Sequence, residues 1–299
     1  MSIQKQLYLI TGFLGAGKTT FLHQAIGMFP TKRVAILVNE FGKQGVDGGL
    51  LAAQGYEVTE INNGSIFCVC RMDMFIDALV AALRSNSGVL LVETSGLSNP
   101  ANIHEVLAQT EAVAGQGFDY RGCICLIDAV NFERVAHTAV VVPDQIRLAS
   151  LLVVNKIDLA EPTTLATLEK DLRALNPDAP LLFTQFARIP PNALASLSPA
   201  PQRSMGGKVD IQSASCTVRF PAPLSKTALD ALLAAIAPML YRCKGYVQTE
   251  DGAVFVDGVM NAIQTSPSAH APSGLTLLYP ANQPVRRTVR KLVPDAAVD

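Results

Sequence analysis

Residues 12 to 19 read G-F-L-G-A-G-K-T, a full match to G-x-x-x-x-G-K-[ST]. Gly12, Gly15 and Gly17 let backbone N–H groups turn toward an anion without Cβ clashes. The positive end of a following helix adds to that attraction. Lys18 can reach the β- and γ-phosphates of a nucleotide, and the Thr19 hydroxyl can ligate Mg²⁺. The expected phosphate-binding set on this loop is Gly12, Gly15, Ala16, Gly17, Lys18, Thr19 and Thr20.

A second run, Asn155-Lys156-Ile157-Asp158, follows the apolar Leu151–Val154. A carboxylate at Asp158 can accept two N–H donors from guanine, at N1 and at the exocyclic N2, which adenine does not offer. A site built on that pairing rejects a base that leaves the carboxylate unpaired. Asn155 is expected to contact the base edge or tie neighbouring loops together, and the Lys156 stem to lie along the base. A third segment, Val89–Val92 followed by Glu93-Thr94-Ser95-Gly96, ends an apolar strand on an acid. Glu93 is placed for the Mg²⁺ shell or a metal-bound water. The Gly96 N–H is placed to sense a γ-phosphate, with Leu97–Pro100 released when that contact is lost. The ligands implied are GTP or GDP and Mg²⁺.

These residues need a scaffold that brings strand ends together, and the apolar pattern supplies one. Leu7–Ile10 reads as a strand before the Gly-rich loop, and Thr20–Ile26 as the start of a helix. Further strands are read at 33–38, 56–61, 122–128 and 181–184, and helices at Met72–Leu83 and Leu165–Leu175. Such alternation predicts a mainly parallel α/β sheet over residues 1–186. Residues 187–208, rich in Pro, Ala, Ser and Gly, read as a linker. Residues 209–299 read as a smaller α+β domain: a strand at 209–220, a helix at 225–236, then short strands near Tyr246, Val254, Ala262 and Leu277. The tail from Arg286 shows no strong pattern.

Composition narrows the classes. The chain has 299 residues and a net charge of −1, with no basic stripe of the kind nucleic-acid binders carry. No apolar run reaches membrane-spanning length. The first strand begins almost at once, leaving no room for a signal peptide. Six cysteines without export signals fit a reducing compartment, so a cytoplasmic protein is expected.

Cys68 and Cys70 form a C-x-C in a loop after the third strand, beside Arg71. Two close thiolates suit Zn²⁺ or another thiophilic ion, but further ligands must come from elsewhere. Cys123 and Cys125 lie inside an apolar strand and read as core, as does Cys216. Cys243 reads as a turn or inter-domain residue, and His104 as a surface residue.

The motifs G-F-L-G-A-G-K-T-T, V-N-E-F-G (38–42), V-D-G (46–48), E-I-N-N-G (60–64), E-T-S-G-L-S-N-P (93–100), N-K-I-D (155–158) and R-C-K-G (242–245) together resemble the CobW-type GTPases, kin of UreG and HypB. The resemblance covers most of the chain, including residues 209–299. It implies a P-loop G domain with slow, Mg²⁺-dependent GTP hydrolysis, and nucleotide-dependent homodimerisation. It also implies delivery of a transition metal, Zn²⁺ or Co²⁺, or service to a client metalloenzyme or corrinoid protein. Lys18, Glu93 and Asp47 form the expected catalytic set. Glu40, in N-E-F-G, joins Cys68 and Cys70 as an expected transition-metal ligand.

One departure stands out. The family pattern after N-G is C-x-C-C. Aligned from Gly64, its first two cysteines fall on Ser65 and Phe67, and only Cys68 matches the third. Shifted by three residues, Cys68 and Cys70 match the first pair and Arg71 replaces the last cysteine. Either way the segment holds two thiolates, Cys68 and Cys70, where the family pattern has three. A GTP-gated metallochaperone or maturation factor is the expected function, with GTP state coupled to the Cys68/Cys70 loop. The alternative is a metal-free GTPase switch that assembles or activates a client enzyme.

Overall fold

The computed structural model describes residues 4–30, 33–40, 56–62, 72–138, 141–200, 213–259, 262–270 and 274–299. Asp47, Cys68 and Cys70 lie outside the described residues. The chain divides into two compact units, Met1–Ile211 and Gln212–Asp299.

The first unit is built on strands β1 (Gln6–Thr11), β2 (Val34–Glu40), β3 (Glu57–Asn62), β4 (Val89–Glu93), β5 (Asp119–Asp128), β6 (Leu151–Asn155) and β7 (Leu181–Phe183). They form one parallel sheet in the order β3-β2-β4-β1-β5-β6-β7. The central strands read as unbroken apolar runs because both faces are covered. Alternate residues serve opposite faces. Tyr8, Ile10, Ile36, Val38, Leu91 and Leu126 pack with helix α1 (Lys18–Ile26). Leu7, Leu9, Leu37, Leu90 and Val92 pack with α2 (Met72–Arg84) and α3 (Ile103–Ala114).

Three further helices follow: α4 (Phe132–Thr138), α5 (Val141–Arg147) and α6 (Pro162–Leu175). The first helix turn leaves its N–H groups without intrahelical partners, so the proline that opens α6 costs it no bond. Among the described residues no helix is long and apolar enough to cross a membrane.

Strand order sets the position of the site. β1 lies between β4 and β5, and the chain leaves the adjacent ends of β1 and β4 in opposite directions, β1 crossing to β2 and β4 to β5. Ligands of open α/β sheets bind at such a point. The Gly-rich loop follows β1, Glu93 ends β4, Asp128 ends β5 and Asn155 ends β6.

The stretch read as a linker is in part core. Ala187, Ile189, Leu194 and Leu197 are buried in the same cluster as α1. Its prolines and small residues allow an irregular path, but the apolar side chains between them cover one sheet face.

The second unit contains β8 (Ser213–Arg219), β9 (Arg242–Thr249), β10 (Gly252–Val259), β11 (Ala262–Pro267), β12 (Gly274–Pro280) and β13 (Ala297–Val298). They form an antiparallel sheet in the order β11-β10-β9-β12-β8-β13. Helices α7 (Lys226–Ile236) and α8 (Val285–Leu292) complete its core. The Ser225 hydroxyl caps α7 by accepting from Ala228 N. Two expectations are corrected here. The tail is structured, as α8 and β13. Cys243 sits inside β9 and is buried in the core, level with Leu277 and Cys216 on neighbouring strands.

Candidate nucleotide site

The Gly-rich loop has the backbone that its glycines predict. Gly12, Gly15 and Gly17 have φ of 130°, 78° and 102°, conformations that side chains oppose. A Cβ at Gly12 would stand 2.2 Å from Leu126 O of β5, and one at Gly17 2.4 Å from Asn155 Nδ2. The loop is therefore seated against the carboxyl ends of β5 and β6. Gly17 caps α1, so the helix N-terminus opens on the loop. Ala16 is buried, and Thr20 lies in the first turn of α1.

Lys18 is 8% exposed and its Nζ donates to Phe13 O at 3.3 Å. This folds the ammonium group back over the loop where phosphate would lie. The Thr19 hydroxyl donates to Glu93 Oε1 at 3.2 Å, and Glu93 is 6% exposed. A hydroxyl and a buried carboxylate from two elements thus converge beside the loop. Two hard oxygens so placed are a donor set that Mg²⁺ accepts, with water and phosphate oxygens completing its shell.

Asn155 performs one of its two predicted tasks. Its Nδ2 donates to Ala16 O at 3.0 Å, and its Oδ1 accepts from Ala187 N at 2.8 Å. The side chain ties the phosphate loop to the segment after β7. Lys156 adopts φ 64°, and its Nζ donates to Asp128 Oδ2 at 2.7 Å. Asp158, two residues on, is exposed and open to a base.

Gly96 lies against the loop: a Cβ there would be 2.5 Å from Leu14 N. Its carbonyl accepts from Gln145 Nε2 at 3.2 Å. The sheet edge therefore brings together Lys18, Thr19, Glu93 and Gly96, with Asn155, Lys156 and Asp158 at the adjacent strand end. Glu40 ends β2.

Several site residues carried no recognised signal. Asp128 accepts from Val130 N (2.9 Å), Asn131 N (3.2 Å) and Asn131 Nδ2 (2.9 Å), as well as from Lys156. It shapes the turn into α4 while holding the motif lysine. Phe186 and Ala187 both have φ 54°, with no glycine to announce the turn. Gln24 Nε2 of α1 steadies it by donating to Phe186 O at 2.8 Å. Asn39 and Gln145 flank Ser95–Ser98 from two sides.

The strand cysteines are core, as their pattern predicts. Cys123 and Cys125 are both buried. Burial pushes the Cys125 thiol up to about 12 against the opposing pull of Lys18, and pushes Cys123 up as well. Neutral thiols of this kind are poor metal ligands. Among the described residues no group of three His, Cys, Asp or Glu side chains could hold a metal ion.

Comparison with known proteins identifies the chain's family. The CobW/HypB/UreG nucleotide-binding domain matches residues 6–183, and the cobalamin synthesis protein cobW C-terminal domain matches residues 213–288. The zinc chaperone YeiR of Escherichia coli is 32% identical over 183 residues, covering 60% of this chain and 55% of YeiR, about half that relative's length. The zinc chaperone YjiA of E. coli is 26% identical over 273 residues, 84% of this chain and 85% of YjiA. Among solved structures, Zn(II)-bound YjiA GTPase from E. coli covers 97% of this chain and 99% of its own, with TM-score 0.46 and 20% identity. HypB of Archaeoglobus fulgidus covers 60% and 81%, with TM-score 0.46 and 20% identity. The chain belongs to the CobW/HypB/UreG family of nucleotide-binding proteins and carries that family's CobW C-terminal domain.

Proposed function

We propose that the protein is a GTP-hydrolysing metallochaperone whose cargo is Zn²⁺ or a related thiophilic ion. The observation that carries the nucleotide half is the Thr19–Glu93 contact beside a Gly-rich loop capped by Lys18. Lys18 would neutralise charge on the β- and γ-phosphates, and loop 95–99 would report whether the γ-phosphate is present. Thr19 and Glu93 would hold Mg²⁺, which supplies electrostatic stabilisation of phosphate charge. Asp47 is assigned to the Mg²⁺ shell or to water positioning. Asp158 would select guanine, with Asn155 and the Asp128–Lys156 pair holding the base-binding segment in place.

The cargo half rests on the relatives named zinc chaperones and on the sequence. Cys68, Cys70 and Glu40 are the assigned ligands, and the missing thiolate of the family pattern points to a site completed by water, a client or a second copy of the chain. Metal release to a client metalloenzyme would follow hydrolysis.

The test is titration of Zn²⁺ and Co²⁺ into reduced protein with GDP or a GTP analogue, for wild type and a Cys68→Ser/Cys70→Ser double variant. Nucleotide-dependent binding that the variant loses is expected. Equal, weak binding by both proteins in both nucleotide states would overturn metal delivery and leave a metal-free GTPase switch.

A further inference from the structure

Asn39 is the penultimate residue of β2 and is 1% exposed. Its Nδ2 donates to Ile61 O of β3 at 3.1 Å. That bond identifies the nitrogen, so the other end of the amide is an acceptor. The acceptor Oδ1 receives Ser95 N at 3.4 Å and Ser98 Oγ at 3.5 Å. One side chain thus links the ends of two strands to the loop that follows Glu93.

The loop is closed on itself and held from its far side by α5. Ser98 N donates to Ser95 O at 3.0 Å, closing a turn around Gly96. On its far side Gln145 Nε2 donates to Gly96 O at 3.2 Å and Ser98 O at 2.9 Å, and Asn99 Nδ2 donates to Asp144 Oδ2 at 2.9 Å. Both acceptors of the Gln145 amide are carbonyls, so its Oε1 is the atom left over. That oxygen is buried and makes no hydrogen bond among the described residues.

We propose that Asn39 is a positioning residue that passes the arrangement of loop 95–99 to the ends of β2 and β3. The proposal rests on the reading of that loop as the nucleotide sensor. An amide suits the task because it donates on one side and accepts on the other. Leucine would do neither, and aspartate would set a carboxylate against Ile61 O. When Gly96 is held by a γ-phosphate, Ser95 and Ser98 grip Oδ1 and the amide holds Ile61. When Gly96 is released, that grip loosens and the hold on β3 weakens with it.

Hydrogen exchange of the whole protein with Mg²⁺, comparing GDP with a non-hydrolysable GTP analogue, tests this. Amides of 57–62 are expected to exchange about fivefold more slowly with the analogue, the size of one net hydrogen bond, alongside a change at 94–99. In Asn39→Ala the change at 94–99 persists while the ratio at 57–62 falls toward one. A purely structural role would speed exchange equally in both nucleotide states and leave the ratio intact, which would overturn the proposal. Where Asn39→Ala does not fold, Ser98→Ala removes one donor to the same oxygen: a reduced ratio supports the relay and an unchanged one overturns it. A wild type that changes at 94–99 but not at 57–62 sinks the relay alone. A wild type unchanged at 94–99 sinks the sensor reading and the relay with it.

Discussion

Asp158, the residue proposed to select guanine, makes little contact within its own fold. It is exposed, yet the residues before it are fixed: Asn155 is bonded to Ala16 and Ala187, and Lys156 to Asp128. The carboxylate is thereby presented by a rigid stem. Guanine offers it two donors; an amide in its place would accept one and turn its own N–H toward the other. Asp158→Asn is therefore expected to weaken GDP and GTP binding by about a hundredfold or more. A xanthine nucleotide, with a carbonyl where guanine has its amino group, is expected to bind the variant better than GTP does. Calorimetric titration of both nucleotides checks this, and an unaltered preference for GTP would remove Asp158 from base recognition. That Lys18, Thr19, Glu93 and Asn155 come together at one sheet edge was legible in the sequence from the Gly-rich and N-K-x-D motifs and the acid ending β4. The Asp128–Lys156 and Gln145–Gly96 contacts were not, because they join residues 28 and 49 positions apart and nothing in the local pattern announces either one.

Elements with long apolar runs declared themselves, and short ones did not. β1, β4 and β6 are covered on both faces and read as strands at once. Helix α8 buries only Val285 and Val289 among charged neighbours, and β13 has two residues, so neither sustains a period. In the segment 187–200, prolines masked the buried Ile189, Leu194 and Leu197. Cys243 was misplaced because a lone cysteine between Arg242 and Lys244 looks polar, although alternation along β9 turns it inward. Its burial has a measurable consequence. The thiol is pushed up to about 12 chiefly by desolvation, so the fold holds it neutral. An unfolded thiol ionises in the ordinary range. The stabilisation is complete below that range and is lost as pH rises through it toward about 12. Each thiol so shifted contributes on the order of 1.4 kcal/mol of lost stability per pH unit inside that window. Urea midpoints between pH 8 and 10.5 should therefore fall less steeply for Cys243→Ala than for wild type, whatever the variant's offset at pH 8. Parallel curves would show that this thiol is not held neutral.

At the scale of the whole molecule, each unit carries its own sheet and its own buried cluster. All residues assigned to nucleotide binding belong to the first. A ligand that binds only the folded form adds stability by mass action, about 2.7 kcal/mol at a concentration a hundred times its dissociation constant. For a unit of this size that corresponds to a rise in melting temperature of about 5–10 °C. The chain has no tryptophan, so a single introduced indole reports on one core without background. Phe118 packs against the first unit's core, and Phe255 lies in β10 of the second. GDP with Mg²⁺ is expected to raise the midpoint reported by Phe118→Trp by that amount and to leave the midpoint reported by Phe255→Trp unchanged. Fluorescence melts of the two full-length variants decide the matter. Equal shifts in both would mean that the two cores melt as one cooperative unit, with nucleotide energy reaching the antiparallel sheet; a shift confined to Phe118→Trp would localise the linkage to the parallel sheet and its loops.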